Sequence, residues 1–285
     1  MVQKINKLEK LLVIGGSGYI GKSLKDYTKK KKKFSITSYS RSEKKNLIST
    51  KKLVESNYII YCINNINIGK SLRYFKYFKK LLEKNKIKPK ILFISSGAVY
   101  GPRSKIKKIS EKDEVSISKI NLYNGYKKNY AKEKFIIENE FIKLSKIGYQ
   151  VAIARGFTFY GRHILNYNYA FSQMVNCIKF KKKFIIKNKN TFRSYMHSDD
   201  MCKWLLTILK FASLKCPIYN VGCEKIINLL KLSKYLSKKY KLNLTINSSN
   251  NKKNDFYVPS TRLARRNLKL KTSIIFKDAI NSIVY

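Results

Sequence analysis

The chain has 285 residues, 44% of them hydrophobic, which suits one large domain or two modest lobes and excludes a fibrous or disordered class. It carries 62 lysines and arginines against 16 aspartates and glutamates, a formal net charge of +46, yet only nine of the basic residues are arginine. Phosphate and base readers favour arginine, so the excess is read as compositional lysine drift rather than nucleic-acid binding, with a general pull on anionic ligands. Five cysteines without CxxC spacing and two histidines argue against a metal site or a disulfide framework. No apolar run is long enough to span a membrane and the start lacks a signal peptide's core, so a cytoplasmic location is expected.

In chain order, KLLVI (10–14) is a short apolar run that enters a glycine cluster, followed by a helical segment from Lys22 to Thr28. FSITSY (34–39) and NYIIYCI (57–63) read as the next two strands. An amphipathic stretch from Ser71 to Lys84 leads to the buried-looking strand KILFIS (90–95). A helix covers roughly 124–144 and the strand VAIAR (151–155) follows. Apolar strands alternating with helices predict an α/β fold, a Rossmann-type doubly wound parallel sheet covered on both faces. After residue 156 short strands (FIIK, SYMH, IYNVG) fall between helices at 168–180, 198–212 and 228–240, which predicts a smaller, intertwined C-terminal lobe. The expected division is 1–157 with about 191–226 for a dinucleotide, and 158–190 with 227–285 for a substrate. The basic stretch 244–255 reads as a surface loop.

Three motifs carry chemistry. The run Gly15-Gly16-Ser17-Gly18-Tyr19-Ile20-Gly21 lies between a strand and a helix and reads as GxxGxxG or GxGxxG. One glycine makes the tight turn, Gly18 admits a pyrophosphate and Gly21 packs helix on strand, with the phosphate at the helix N-terminus. No acidic residue closes the second strand to bind a ribose 2′-OH. Its end, Ser38-Tyr39-Ser40-Arg41, suits a 2′-phosphate, so NADP(H) is expected ahead of NAD(H). YNGYKKNYAKEKFIIE (123–138) holds two overlapping copies of a tyrosine four residues before a lysine, Tyr123–Lys127 and Tyr130–Lys134. On a helix such pairs share a face, and a lysine there lowers the phenol's pKa toward neutrality. Seven residues along one helix would put the two tyrosines about 10 Å apart.

With SSGAVYG (95–101) at the end of KILFIS, the chain resembles the extended short-chain dehydrogenase/reductases that act as nucleotide-sugar epimerases, dehydratases and reductases. ARGFTFYGR (154–162) is similar to that family's R-x-x-N-V-Y-G-P segment, and FRSYMHSDD (192–200) to R-D-F-x-H-V-x-D. PIYNVG (217–222) matches its YNVG strand, and DFYVPSTRLARRNLKL (255–270) its closing segment. The resemblance implies Ser96, Tyr130 and Lys134 as the catalytic set. Ala131 and Glu138 fit the family pattern after Tyr130, whereas Tyr123 is followed by Asn124. It implies cofactor contacts at Gly15, Ser17, Gly18, Tyr19, Ile20, Gly21, Ser40, Arg41, Asn64 and Lys134, substrate contacts at Ser96, Thr158 and Arg193, and no metal. Arg193 would grip a diphosphate. His197 and Asp200 are read as structural, with Asp199–Asp200 placed to cap the helix carrying Trp204. The aromatics Tyr74, Phe75, Tyr77 and Phe78 are read as core or dimer interface.

Four residues and two stretches depart from the family pattern. Gly97 and Ala98 stand where dehydratases carry an Asp-Glu pair, which argues against dehydration. The stretches between Arg41 and Asn57 and between Asn64 and Ser71 are short. Thr158 replaces a common asparagine, and Glu133 takes the place of the usual serine. The expected activity is NADP(H)-dependent reduction of a nucleoside-diphosphate 4-keto-6-deoxyhexose for surface polysaccharide (O-antigen) synthesis, by a homodimer joined through the helices at 71–84 and 124–144. The rivals are a nucleotide-sugar 4-epimerase with tightly bound NAD and a non-catalytic dinucleotide-binding protein that associates with polyanions.

Overall fold

The computed structural model describes residues 8–40, 48–164, 169–247 and 253–276. The first half runs β1 (Glu9–Ile14), α1 (Tyr19–Lys31), β2 (Phe34–Tyr39), α2 (Thr50–Val54), β3 (Tyr58–Tyr61), α3 (Ile68–Lys84), β4 (Lys90–Ser96), a 3-10 turn over Gly97–Tyr100, α4 (Ile117–Asn121), α5 (Gly125–Lys146) and β5 (Val151–Gly156). The second half runs β6 (Phe159–Tyr160), α6 (Ala170–Lys179), β7 (Phe184–Ile186), β8 (Thr191–Arg193), β9 (Met196–His197), α7 (Ser198–Lys210), β10 (Ile218–Val221), β11 (Ile227–Asn228), α8 (Leu229–Tyr240), β12 (Leu244–Ile246), β13 (Asp255–Tyr257) and α9 (Arg262–Leu268).

Six strands form the main sheet in the order β10-β5-β4-β3-β1-β2. β1 pairs in parallel with both β2 and β3, and β3 with β4, as a sequence of buried apolar strands alternating with helices requires. The chain steps outward from β1 to β2, then returns past β1 to β3. The strand order therefore reverses between β1 and β3, the point at whose carboxyl edge an open α/β sheet binds ligands. The sheet stops at β2 because only the five-residue α2 lies between β2 and β3, with no further strand among the described residues.

The described chain divides into two compact units, each assembled from three stretches. Unit 1 comprises residues 1–95, 129–154 and 205–218. Unit 2 comprises 96–128, 155–204 and 219–285. The core of unit 1 packs Leu12, Ile14, Ile59, Ile91 and Ile153 against Phe75, Phe78 and Phe141. Phe141 stacks on Phe93 at 4.7 Å between ring centres and meets Phe75 edge-on at 5.0 Å. Such contacts add to the area each ring buries. Phe75 and Phe78 are thus core residues, with Tyr74 and Tyr77 packed beside them. In unit 2, Tyr160, Phe171, Met174, Tyr195 and Leu236 form a second core.

The structure corrects several sequence expectations. The first helix begins at Tyr19, three residues before the expected start, because Gly18 serves as its N-cap. The stretch 244–255 is not simply a loop. Leu244, Thr245 and Ile246 pair in parallel with Phe184, Ile185 and Ile186 as β12, and Asp255 opens β13 on β8. Among the described residues no helix is long and apolar enough to cross a membrane.

Candidate active site

The glycine-rich loop leaves β1 with Gly15 at φ +102°, a left-handed conformation that side chains rarely adopt. A Cβ there would come within 2.9 Å of the Cys62 carbonyl. At Gly21 a Cβ would lie 2.5 Å from the backbone of Gly16, so α1 rests on the loop itself rather than on a strand. At Gly18 a Cβ would make only ordinary contact, 3.4 Å from the Gly15 carbonyl oxygen. Gly18 brings no side chain to the first-turn N–H groups of α1, and that turn holds no acidic residue. Uncapped N–H groups at the positive end of a helix suit an anionic group. Ser40, at the end of β2, donates its hydroxyl to Ser17 Oγ at 2.8 Å and ties the strand end to the loop. Tyr19 and Ile20 open α1, exposed Asn64 follows β3, and Arg41 lies outside the described residues.

The two tyrosine–lysine copies are not equivalent. Tyr130 and Lys134 both lie on α5, and the Lys134 ammonium is 6.0 Å from the centre of the Tyr130 ring. Lys134 is 3% exposed and donates to the Ile63 carbonyl at 2.9 Å. It also lies 5.4 Å from the centre of the Phe93 ring. Tyr123 precedes the helix, separated from it by Gly125 at φ +54°. The expected shared helical face of Tyr123 with Lys127, and with Tyr130, is therefore absent. Instead, Lys127 Nζ lies 4.0 Å from the Asp255 carboxylate. Burial pushes the Tyr123 phenol well above its ordinary pKa, and the Asp255 charge adds to this against Arg193 and Arg103. Two buried acids flank Lys134 on α5: Glu133 accepts from Ser71 Oγ at 2.8 Å and Glu138 from Ser95 Oγ at 2.6 Å.

In unit 2, Ser96 ends β4 almost fully buried. Its Oγ accepts from the Ala98 amide at 3.2 Å and lies 3.3 Å from the Tyr257 hydroxyl. Arg193 donates to the Asp255 carboxylate at 2.5 Å and to the Asp255 carbonyl at 2.8 Å, with its guanidinium 5.8 Å from the Tyr257 ring centre. Burial raises the Asp255 carboxyl, but the Arg193 guanidinium outweighs it and holds the pKa below its ordinary value. Thr158, between β5 and β6, is half-buried, and its carbonyl accepts from the Met196 amide. Thus Ser96, Thr158 and Arg193 belong to unit 2, whereas the glycine loop, Ser40, Asn64, Tyr130 and Lys134 belong to unit 1.

Asp200 is 2% exposed and accepts from the Ser273 amide, the Ser273 hydroxyl and the Ile274 amide. It anchors residues 273–274 instead of capping its own helix. His197 Nδ1 accepts from the Asp199 amide. Sequence reasoning missed Tyr257 and Asp255 as neighbours of Ser96 and Arg193. The one available signal was the alternation in DFY, where buried Phe256 faces the core and its two neighbours turn the other way. Among the described residues, no group of three or more His, Cys, Asp or Glu is arranged to hold a metal.

Solved structures similar to this chain share its fold at low sequence identity. RMD from Pseudomonas aeruginosa, complexed with NADPH, aligns with a TM-score of 0.78 at 17% identity, covering 97% of each chain. UDP-N-acetylglucosamine 4-epimerase from Bacillus cereus aligns at 0.76 and 16% identity, over 97% of this chain and 95% of its own. dTDP-glucose 4,6-dehydratase from Bacillus anthracis, in complex with NAD, aligns at 0.74 and 15%, with the same two coverages. No curated protein sequence matches the chain. Residues 63–222, more than half of the chain, match the NAD dependent epimerase/dehydratase family, and the chain belongs to that family.

Proposed function

We propose that this chain is an NADP(H)-dependent reductase of a nucleoside-diphosphate 4-keto-6-deoxyhexose, of the CDP-abequose synthase kind, making a deoxysugar nucleotide for surface polysaccharide. The observation that carries an oxidoreductase reading is the buried Lys134 on one helix with Tyr130, its ammonium 6.0 Å from the phenol ring. The residues present fit a dinucleotide: the uncapped first turn of α1, the absence of a side chain at its N-cap Gly18 and the Ser17–Ser40 hydroxyl pair suit a diphosphate and a ribose. When bound, such a cofactor supplies the hydride or accepts it.

The chain's own residues divide the remaining work. Lys134, fixed by the Ile63 carbonyl, has further N–H donors for ribose hydroxyls and favours the ionised phenol. Tyr130 gives a proton to the sugar oxygen as a ketone is reduced, or removes it in the reverse direction. Ser96 offers its hydroxyl to a sugar oxygen, and Arg193 pairs with a diphosphate. Gly97 bears on the choice of reaction. A Cβ there would strike the Phe157 ring at 2.6 Å, so a carboxylate side chain has no room beside Ser96. This disfavours elimination and leaves redox chemistry at the sugar carbon. The preference for NADP(H) rests on Ser40 and Arg41, and a homodimer built through α3 and α5 belongs to the same proposal.

The test is incubation with NADPH and a panel of CDP-, dTDP- and GDP-4-keto-6-deoxy sugars, following nicotinamide absorbance. Stoichiometric oxidation of NADPH is expected. Interconversion of UDP-hexoses without added reductant would replace this reading with a 4-epimerase.

A further inference from the structure

Glu133 stands where the resembled family carries serine, and it is 2% exposed. Its two oxygens have different surroundings. Oε1 accepts from the Ser71 hydroxyl on α3 at 2.8 Å. Oε2 is fully enclosed, has no hydrogen-bond partner, and lies 3.7 Å from Lys134 Nζ. Adjacent helical residues ordinarily point about 100° apart, so their charged ends converge only when something directs them. Here Ser71 holds the carboxylate from one side, and the Ile63 carbonyl holds the ammonium from the other. A buried carboxylate without hydrogen bonds on one oxygen is costly unless a nearby cation compensates it.

We infer that Glu133 is the counter-charge of Lys134, a positioning residue that limits how much positive potential the lysine delivers to Tyr130. The inference rests on the reading of Tyr130 and Lys134 as the catalytic pair. In this chain the ammonium and the carboxylate form a nearly neutral couple, whose field at the phenol falls off faster than that of a single charge. Among the described residues, the other groups that face this couple are Cys62 just after β3, Ser71 on α3, Phe93 on β4, and Tyr130 on α5 itself. Burial pushes the Cys62 thiol up to about 12, and it donates to the Ile14 carbonyl, so it brings no charge of its own near neutrality. Glu138 is engaged one turn further on by Ser95.

The test is a pH titration of the intact chain carrying 13Cζ-labelled tyrosine, with the Tyr130 resonance assigned by its loss in Tyr130→Phe. In Glu133→Gln, which keeps the shape and an acceptor for Ser71, the Tyr130 midpoint is expected to fall by about 0.5–1 pH unit, as the lysine's charge is no longer offset. The pH limb of kcat/KM governed by Tyr130 should move in the same direction by the same amount. If Glu133→Gln does not fold, Glu133→Ser removes the same charge and carries the same expectation. A Tyr130 midpoint that stays within about 0.2 units of the unsubstituted protein in the folded variant overturns the inference. The titration needs neither cofactor nor turnover. A shifted midpoint in a protein without ketosugar reductase activity would uphold the counter-charge while rejecting the proposed reaction.

Discussion

Lys134 lies with its ammonium 6.0 Å from the centre of the Tyr130 ring, and the Ile63 carbonyl fixes it there from the end of β3. Tyr123, the other phenol of the duplicated pattern, sits ahead of the helix behind the left-handed Gly125. Tyr130→Phe should therefore lower kcat by about 10²–10⁴-fold, the usual range for losing a general acid, with the thermal melt unchanged. Tyr123→Phe should leave kcat within about threefold. Steady-state kinetics on both variants decide it, and the reverse pattern would transfer the role to Tyr123.

Gly21 tolerates no side chain, because the backbone of Gly16 lies 2.5 Å from where its Cβ would be. Backbone cannot rotate away as a flexible side chain can. Gly21→Ala should cost about 1–3 kcal/mol of stability. It should also weaken dinucleotide binding by about tenfold or more, as α1 is displaced from the loop. Chemical denaturation and a fluorescence titration with NADPH measure the two effects. Unchanged affinity would show that the loop does not hold the cofactor.

The Asp255–Arg193 pair carries a defined pH dependence. Asp255 has a folded-state pKa below its unfolded value, so the pair stabilises the protein above about pH 4 and this contribution is lost as pH falls through the folded value. The Asp255 side chain is 40% exposed, which limits the contribution to about 0.5–1 kcal/mol. Asp255→Asn should lower Tm by about 1–4 °C at neutral pH. The difference should shrink as pH falls through the folded-state pKa of the Asp255 carboxyl, which lies below its ordinary value. Calorimetry across that range would show a constant difference if the pair were not responsible.

Asp200 is a structural anchor, so Asp200→Asn should destabilise without altering chemistry. Two N–H donors and a hydroxyl converge on its carboxylate. An amide turns one acceptor into a donor, at a cost of about 2–3 kcal/mol. Turnover per folded molecule should stay within about threefold of the unsubstituted protein. A loss of kcat with stability intact would make Asp200 part of the machinery.

What the sequence revealed followed the length and chemistry of each signal. β1, β4 and β5 were legible because each is a run of buried apolar residues, and the glycine cluster was legible because Gly15 and Gly21 are demanded by backbone approach. Among the strands of two or three residues, β7 and β9 fell within the expected FIIK and SYMH, but β11, β12 and β13 were not read, since little periodicity accumulates over so few positions. The Tyr257–Ser96 contact joins residues 161 positions apart, and Asp200 meets Ser273 across 73, so local pattern holds no trace of either. The inequality of the two tyrosine–lysine copies depended on one backbone angle at Gly125.

Each compact unit is threaded from three separate stretches, and this has a consequence for synthesis on the ribosome. When residue 96 has been made, the strands β1 to β4 exist, but β5, the next strand in sheet order, ends only at residue 156, and β10 beyond it at residue 221. At about 5–20 residues per second, the open edge of β4 waits about 3–12 s for its cover. Nascent chains of this protein should therefore be most vulnerable to chaperone capture and to proteolysis over that interval, and a premature stop anywhere in it would leave neither unit complete.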